Sequence, residues 1–243
     1  MIYFQKPWKI VADFWDSKAQ WRTKYFDELK STADDELPRA LVMEKEFVLA
    51  EEDILRRACE QCNTVIEFGC GIGRSILPIA AALPMTYFVG IDFSRAQLLI
   101  FNNTSASLGL QNAFAVMGDV SEICFRARCV DLVAVCNQTV GNFLGVDRQK
   151  VFREIRRILV PGGRAYIGGF DKIAFASECY KEWGVKVENI DLSTGFVDTA
   201  YYNTLWQPES LLNQELGAHG LQLIESVRAG LGYLNLYESK DRT

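Results

Sequence analysis

Glu67, Asp92, Asp119 and a run of glycines are spaced in this sequence to hold a nucleoside. Val65-Ile66-Glu67-Phe68 is a short apolar run, followed at once by Gly69-Cys70-Gly71-Ile72-Gly73. Glycines after a strand let the backbone turn tightly and approach a ligand, and the helix that follows offers free N–H donors at its start. A dinucleotide fingerprint counted from Gly69 requires glycine at position 74, where Arg74 stands. Glu67, two residues ahead of the first glycine, suits a cationic ligand and is out of place beside a pyrophosphate. S-adenosylmethionine, a nucleoside with a sulfonium and an amino-acid end, meets both conditions. Asp92 closes a second apolar run in Gly90-Ile91-Asp92-Phe93-Ser94 and can accept from both ribose hydroxyls, leaving Ser94 to cap the next helix. Asp119, in Gly118-Asp119-Val120, can accept from an adenine amino group, with a loop cap as its structural alternative.

The elements that must position these groups alternate. Apolar runs predict strands at 64–68, 86–92, 112–117, 130–136 and 164–170. Helical patterns fall between them at 73–83, 94–108 and 147–159, and Pro161-Gly162-Gly163 ends the last of these. Pro78 fits only near a helix start. Such alternation implies right-handed βαβ units and a parallel sheet covered on both faces. Before it, residues 1–60 read as amphipathic helices broken at Thr32–Pro38, with an aromatic front that includes Tyr3, Trp8 and Trp15. After it, 185–190 and 196–206 read as strands flanking Ser193-Thr194-Gly195. Pro208 opens a helix, and 221–229 with 231–237 read as a closing antiparallel pair.

The chain has 243 residues, about half of them hydrophobic, which suits one α/β domain with a cap. A formal net charge of −5 gives no general attraction to nucleic acid or anionic lipid, and no apolar run is long enough for a membrane span. Seven scattered cysteines suit a reducing, cytoplasmic setting. Cys59 and Cys62 lack the further ligands a zinc site needs, so no metal is expected.

As a set, Val65–Gly73, Gly90-Ile91-Asp92, Gly118-Asp119-Val120 and Leu159-Val160-Pro161-Gly162-Gly163 resemble the class I S-adenosylmethionine-dependent methyltransferases of small molecules. The resemblance covers roughly residues 55–170. It implies an α/β fold: a Rossmann-like, doubly wound sheet of seven strands, the last antiparallel, with helices on both faces. To this the sequence adds an N-terminal aromatic helical lid over 1–50, with burial in the core as the alternative reading of its aromatic side chains. The methyltransferase domain then spans 51–243, with a strand-rich cap insertion at about 171–206. The resemblance puts Glu67, Gly69, Gly71 and Gly73 near the methionine end, Asp92 on the ribose and Asp119 by the adenine. Cys70, Phe93, Ser94, Val120, Asn137 and Gln138 flank these positions and complete the expected cofactor-binding set.

The acceptor should meet the methyl group at the loop after the fourth strand, Cys136-Asn137-Gln138-Thr139-Val140-Gly141-Asn142-Phe143. It lacks the Asn/Asp-Pro-Pro-Tyr sequence of many base and glutamine methyltransferases. It also lacks the Asp cluster that metal-assisted catechol methylation uses. Thr139–Phe143 and Ile167–Asp171 locally resemble the enzymes that trimethylate the α-amine of histidine, which implies a substrate contact for Asn142. The expected substrate wall is Asn142, Phe143, Tyr3, Trp15, Phe170, Tyr201 and Tyr202. The single histidine, His219, lies far from these motifs, and no catalytic base is assigned. Without a histidine base, an amine nitrogen of a small metabolite is the expected acceptor; a phenolic or hydroxyl oxygen is the alternative. An NAD(P)-dependent oxidoreductase and a non-catalytic cofactor-binding protein are the competing classes. The aromatic N-terminus either folds over its own site or pairs with a second subunit in a homodimer.

Overall fold

The computed structural model describes residues 6–240. Two long helices come first, α1 (Trp8–Ser31) and α2 (Arg39–Cys59), joined by a short 3-10 turn at Asp34–Glu36. Pro38 stands just ahead of α2, where its missing N–H costs no helical bond. The alternating unit follows: β1 (Thr64–Phe68), α3 (Ile76–Ala82), β2 (Tyr87–Asp92), α4 (Arg95–Ser107), β3 (Ala113–Met117) and β4 (Val130–Val135). Then come α5 (Thr139–Asn142), α6 (Gly145–Ile158) and β5 (Leu159–Phe170). Pro78 falls in the first turn of α3, and Ser94 Oγ accepts the Gln97 N–H to cap α4.

The main sheet has seven strands in the order β3-β2-β1-β4-β5-β10-β9, where β9 is Leu221–Ala229 and β10 is Gly232–Ser239. The first five strands are parallel; β10 runs antiparallel to both β5 and β9. The last strand is therefore antiparallel, as expected, but it enters the sheet between β5 and β9, and β9 is the edge. Residues on alternate sides of the strands face two helical layers. Val65, Leu132 and Tyr166 pack with Ile54, Leu55 and Ala58 of α2. Ile66, Val133 and Ile167 pack with Val151, Phe152, Ile155 and Ile158 of α6 and with α8 (Glu209–Ala218). Each buried Val, Leu, Ile or Phe among these contributes roughly 1.5–3 kcal/mol of transfer free energy.

Three boundaries differ from the sequence reading. β5 begins at Leu159 rather than Arg164. Its Pro161-Gly162-Gly163 segment is an excursion between paired residues Leu159 and Arg164, with Gly162 at φ 72°. The expected strand 196–206 is two strands, β7 (Phe196–Thr199) and β8 (Asn203–Leu205). The chain reverses between them because Thr199 Oγ1 accepts the N–H groups of Tyr201 and Tyr202. With β6 (Val187–Asp191) they form a separate antiparallel sheet, preceded by the unforeseen helix α7 (Ala176–Glu182). The boundary expected at residue 50 falls inside α2, which continues beneath the sheet as part of its helical layer.

Strand order reverses between β1 and β4, so the loops at their C-terminal ends part and leave a crevice. α1 runs over this end of the sheet. Asp16 accepts from Ser94 Oγ at 2.5 Å and from the Ala96 N–H at 3.2 Å, and Gln97 Nε2 donates to the Trp15 carbonyl. At the cap side, Lys6 pairs with Asp198 at 2.9 Å and with Glu188 at 3.0 Å.

Candidate functional site

The loop after β1 needs its glycines for space and for backbone conformation. Gly69, Gly71 and Gly73 have φ of 69°, 54° and 81°. A Cβ on Gly69 would lie 2.5 Å from Thr139 Cγ2, so this turn also packs against the loop after β4. The Gly71 N–H donates to Asp92 Oδ2 and the Ser94 N–H to Asp92 Oδ1, each at 2.8 Å. Asp92 thus stitches the ends of β1 and β2 together, and a carboxylate still has lone pairs left for two hydroxyl donors. Burial raises the pKa of Asp92 from its ordinary value, opposed by these backbone donors.

Glu67 points elsewhere. It is buried, its Oε2 has no hydrogen-bond partner, and it does not line the crevice. Burial pushes its carboxyl up to about 8, with nearby Arg74 acting in the opposite direction. Arg74, at the position that disqualified a dinucleotide fingerprint, has a structural task. It donates to Glu51 Oε2 at 2.7 Å and lies 4.5 Å over the Phe26 ring. Glu51 Oε1 accepts the Asn137 N–H at 2.8 Å and the Tyr166 hydroxyl at 3.3 Å. One carboxylate of α2 therefore links the loops after β1 and β4.

Asn137 and Gln138 are both left-handed, with φ of 46° and 65°. Two consecutive non-glycine residues in this region cost on the order of 1–2 kcal/mol each. The contacts of Gln138 fix the turn: Nε2 donates to the Leu205 carbonyl at 2.6 Å, and Oε1 accepts the Phe170 N–H. Asn137 Oδ1 is buried and unpartnered, an orphaned acceptor at the place where two cavities meet.

The larger cavity, about 450 Å³, is walled by the strand ends. Gly69, Gly71, Asp92, Phe93, Asp119, Val120, Asn137, Asn142 and Phe143 line it, with Trp15 from α1 and Tyr202 from the β7–β8 turn. The second, about 70 Å³, adjoins it and is lined by Gln138, Phe170 and aromatic side chains of α1, α7 and the cap. Trp15, Arg22, Asn137, Asn142 and Tyr202 belong to both walls. Most of the residues expected around a ligand are thus brought together. Glu67, Cys70, Gly73 and Ser94 are not on either wall: Ser94 caps α4 and donates to Asp16, and Cys70 is buried under its loop. Tyr201 stacks on Phe14 at 4.7 Å outside the cavities, and Tyr3 lies outside the described residues.

Sequence reasoning missed Arg22, Thr139, Glu44 and Trp183. Glu44 is buried in the second cavity's wall, where its Oε2 accepts the Tyr25 hydroxyl at 2.5 Å and the Trp183 Nε1–H at 2.9 Å. Burial raises its carboxyl pKa, partly offset by these two donors. An acid on the apolar face of a helix was the available signal. His219 bonds Gln149 at 2.8 Å and packs near Phe152, away from both cavities. Among the described residues no cluster of His, Cys, Asp and Glu could hold a metal, and no helix is long and apolar enough to cross a membrane.

Residues 65–163 match a family model described as a methyltransferase domain. The chain is 29% identical over 105 residues to the uncharacterized protein RP789 of Rickettsia prowazekii; the match spans 43% of this chain and 19% of that protein. Among solved structures, the chain is similar to the Burkholderia thailandensis 1,6-didemethyltoxoflavin-N1-methyltransferase, solved with bound 1,6-didemethyltoxoflavin and S-adenosylhomocysteine. The TM-score is 0.69 at 15% identity, covering 99% of this chain and 93% of that one. A SAM-dependent methyltransferase from Methanosarcina mazei aligns with a TM-score of 0.61 at 17% identity, covering 77% and 97%. At these identities the structural likeness shows the fold.

Proposed function

We propose that the chain, whose residues 65–163 match a methyltransferase domain, is a class I S-adenosylmethionine-dependent methyltransferase that methylates a nitrogen of a small molecule. The observation that carries this reading is the pair of adjoining cavities with a shared wall. The larger has the carboxylates and glycines suited to the donor; the smaller is an aromatic recess with room for one end of a flat acceptor that reaches in from the larger.

The residues present fit the donor. Asp92 and Asp119 offer acceptors to the ribose and adenine, and the orphaned Asn137 Oδ1 offers one to the ammonium of the amino-acid end. Bound adenosylmethionine supplies an electrophilic methyl group on sulfur. The protein's task is to align the acceptor with it and keep water out. Asn142, on both walls, would orient the acceptor, and Trp15, Phe170, Tyr202 and Trp183 would enclose its ring. α1 and the β7–β8 turn would serve as the lid.

Neither wall contains histidine. Glu44 is the carboxylate in the chamber and would take the proton released from an acceptor nitrogen. A neutral amine or N-heterocycle needs no stronger base, whereas a hydroxyl acceptor would. The N1-methyltransferase of B. thailandensis, whose structure holds a small heterocycle, supports a nitrogen acceptor in this fold. The test is transfer of labelled methyl from adenosylmethionine to a metabolite extract, followed by mass spectrometry of the labelled product. An N-methyl product supports the reading. An O-methyl product overturns the choice of atom, and binding of cofactor without transfer to any fraction overturns catalysis.

A further inference from the structure

We infer that Arg22 is an anion-binding residue that holds a carboxylate where the two cavities meet; the inference deepens the methyl-transfer reading and rests on it. Arg22 projects from the middle of α1 and lines both cavities. Its Nε is buried with no hydrogen-bond partner, and among the described residues it forms no ion pair. Trp15 lies 5.4 Å and Phe26 5.5 Å from its guanidinium carbon, so the group is held among rings. Such a cation lowers its free energy when a matching anion arrives, and a planar guanidinium suits a carboxylate through paired N–H donors.

The charged groups around it are already committed. Arg74, which repels it, is paired with Glu51. Asp92 accepts the backbone N–H groups of Gly71 and Ser94. Glu44 accepts Tyr25 and Trp183 through one oxygen. None of these acids closes on Arg22, so the protein leaves a positive charge facing the junction. Two ligands could bring the anion: the donor, through the carboxylate of its amino-acid end, or an acceptor that itself carries an acid. The chemistry recognised is the same.

Calorimetric titration of the wild type, R22Q and R22K separates the sources. S-adenosylhomocysteine and 5′-methylthioadenosine share the nucleoside, but only the first has a carboxylate. Benzoate and benzamide, titrated with and without S-adenosylhomocysteine, make the same comparison for the acceptor chamber. If the donor supplies the anion, R22Q weakens S-adenosylhomocysteine about 10- to 100-fold and leaves 5′-methylthioadenosine within about twofold. If the acceptor supplies it, R22Q removes the preference for benzoate over benzamide and leaves both nucleosides unchanged. R22K retains part of the effect in either case. The inference is overturned if R22Q changes neither comparison, or if it weakens 5′-methylthioadenosine as much as S-adenosylhomocysteine. A wild type that binds neither nucleoside sinks the methyl-transfer reading instead, and the benzoate comparison without nucleoside still decides the role of Arg22.

Discussion

Arg74 donates to Glu51 across 2.7 Å, and through Glu51 the loop after β1 is fixed to the loop after β4. The two side chains are 11% and 1% exposed, so neither charge has much water to fall back on. Replacing Glu51 with alanine leaves Arg74 facing Arg22 with its buried partner gone and frees the Asn137 N–H. The expected loss is about 3–5 kcal/mol of stability, with weaker S-adenosylhomocysteine binding. Urea denaturation checks it; a change below about 1 kcal/mol would mean the pair is dispensable.

Asp92 is expected to matter for binding more than a cap would. Asn in its place keeps the size but loses one acceptor, and must present an N–H toward Gly71 or Ser94. D92N should weaken S-adenosylhomocysteine by about tenfold or more, as loss of charge-assisted hydrogen bonds does. Calorimetry that finds unchanged affinity removes Asp92 from the ligand site.

Glu67 sets a pH dependence of stability. Its folded pKa of about 8 stands above the ordinary 4.5, so above pH 4.5 the unfolded chain releases a proton that the folded chain keeps. Stability from this group is fully present below 4.5 and is lost as pH rises toward 8, by a few kcal/mol at most. E67Q cannot titrate and should flatten this fall. Melting temperatures from pH 5 to 8.5 for both proteins make the comparison, and parallel curves would refute it.

The proton acceptor proposed for the chamber gives a kinetic prediction. Because burial raises the pKa of Glu44, turnover should climb with pH until that carboxyl ionises. E44Q should lower kcat and abolish this limb. A retained limb in E44Q assigns the proton to another group.

Asn142 stands where the two cavities adjoin, and its proposed role in orienting the acceptor separates the two ligands. N142A is expected to reduce kcat/KM for the acceptor about tenfold or more while S-adenosylhomocysteine affinity stays within about twofold. Equal losses in both would place Asn142 on the donor.

Strand periodicity and the glycine loop are local properties, and these parts of the fold were readable in the sequence. A parallel strand buried on both faces must be largely apolar, and β1 and β4 are, apart from Thr64 and Glu67 in the first and Asp131 in the second. A backbone with φ above zero favours glycine, and Gly69, Gly71 and Gly73 supply it. The division of Phe196–Trp206 into two strands was not legible, because it depends on a Thr199 hydroxyl capturing two N–H groups inside an otherwise β-like run. Helix α7 was missed because seven residues are too few for a periodic signal.

By itself the sequence determined the frame of the proposed donor site: the order of strands and helices, the turn at Gly69–Gly73, and the acids at the ends of β2 and β3. Each follows from residues close together in the chain. Only the tertiary structure decided that Glu67 is buried away from both cavities, while Arg22, unremarkable in sequence, lines both and Glu44 lines the smaller. A single alternating or helical pattern tells which side of an element is apolar. It cannot tell which distant element packs there, and that packing determines whether a charge is paired, buried or left open to a ligand.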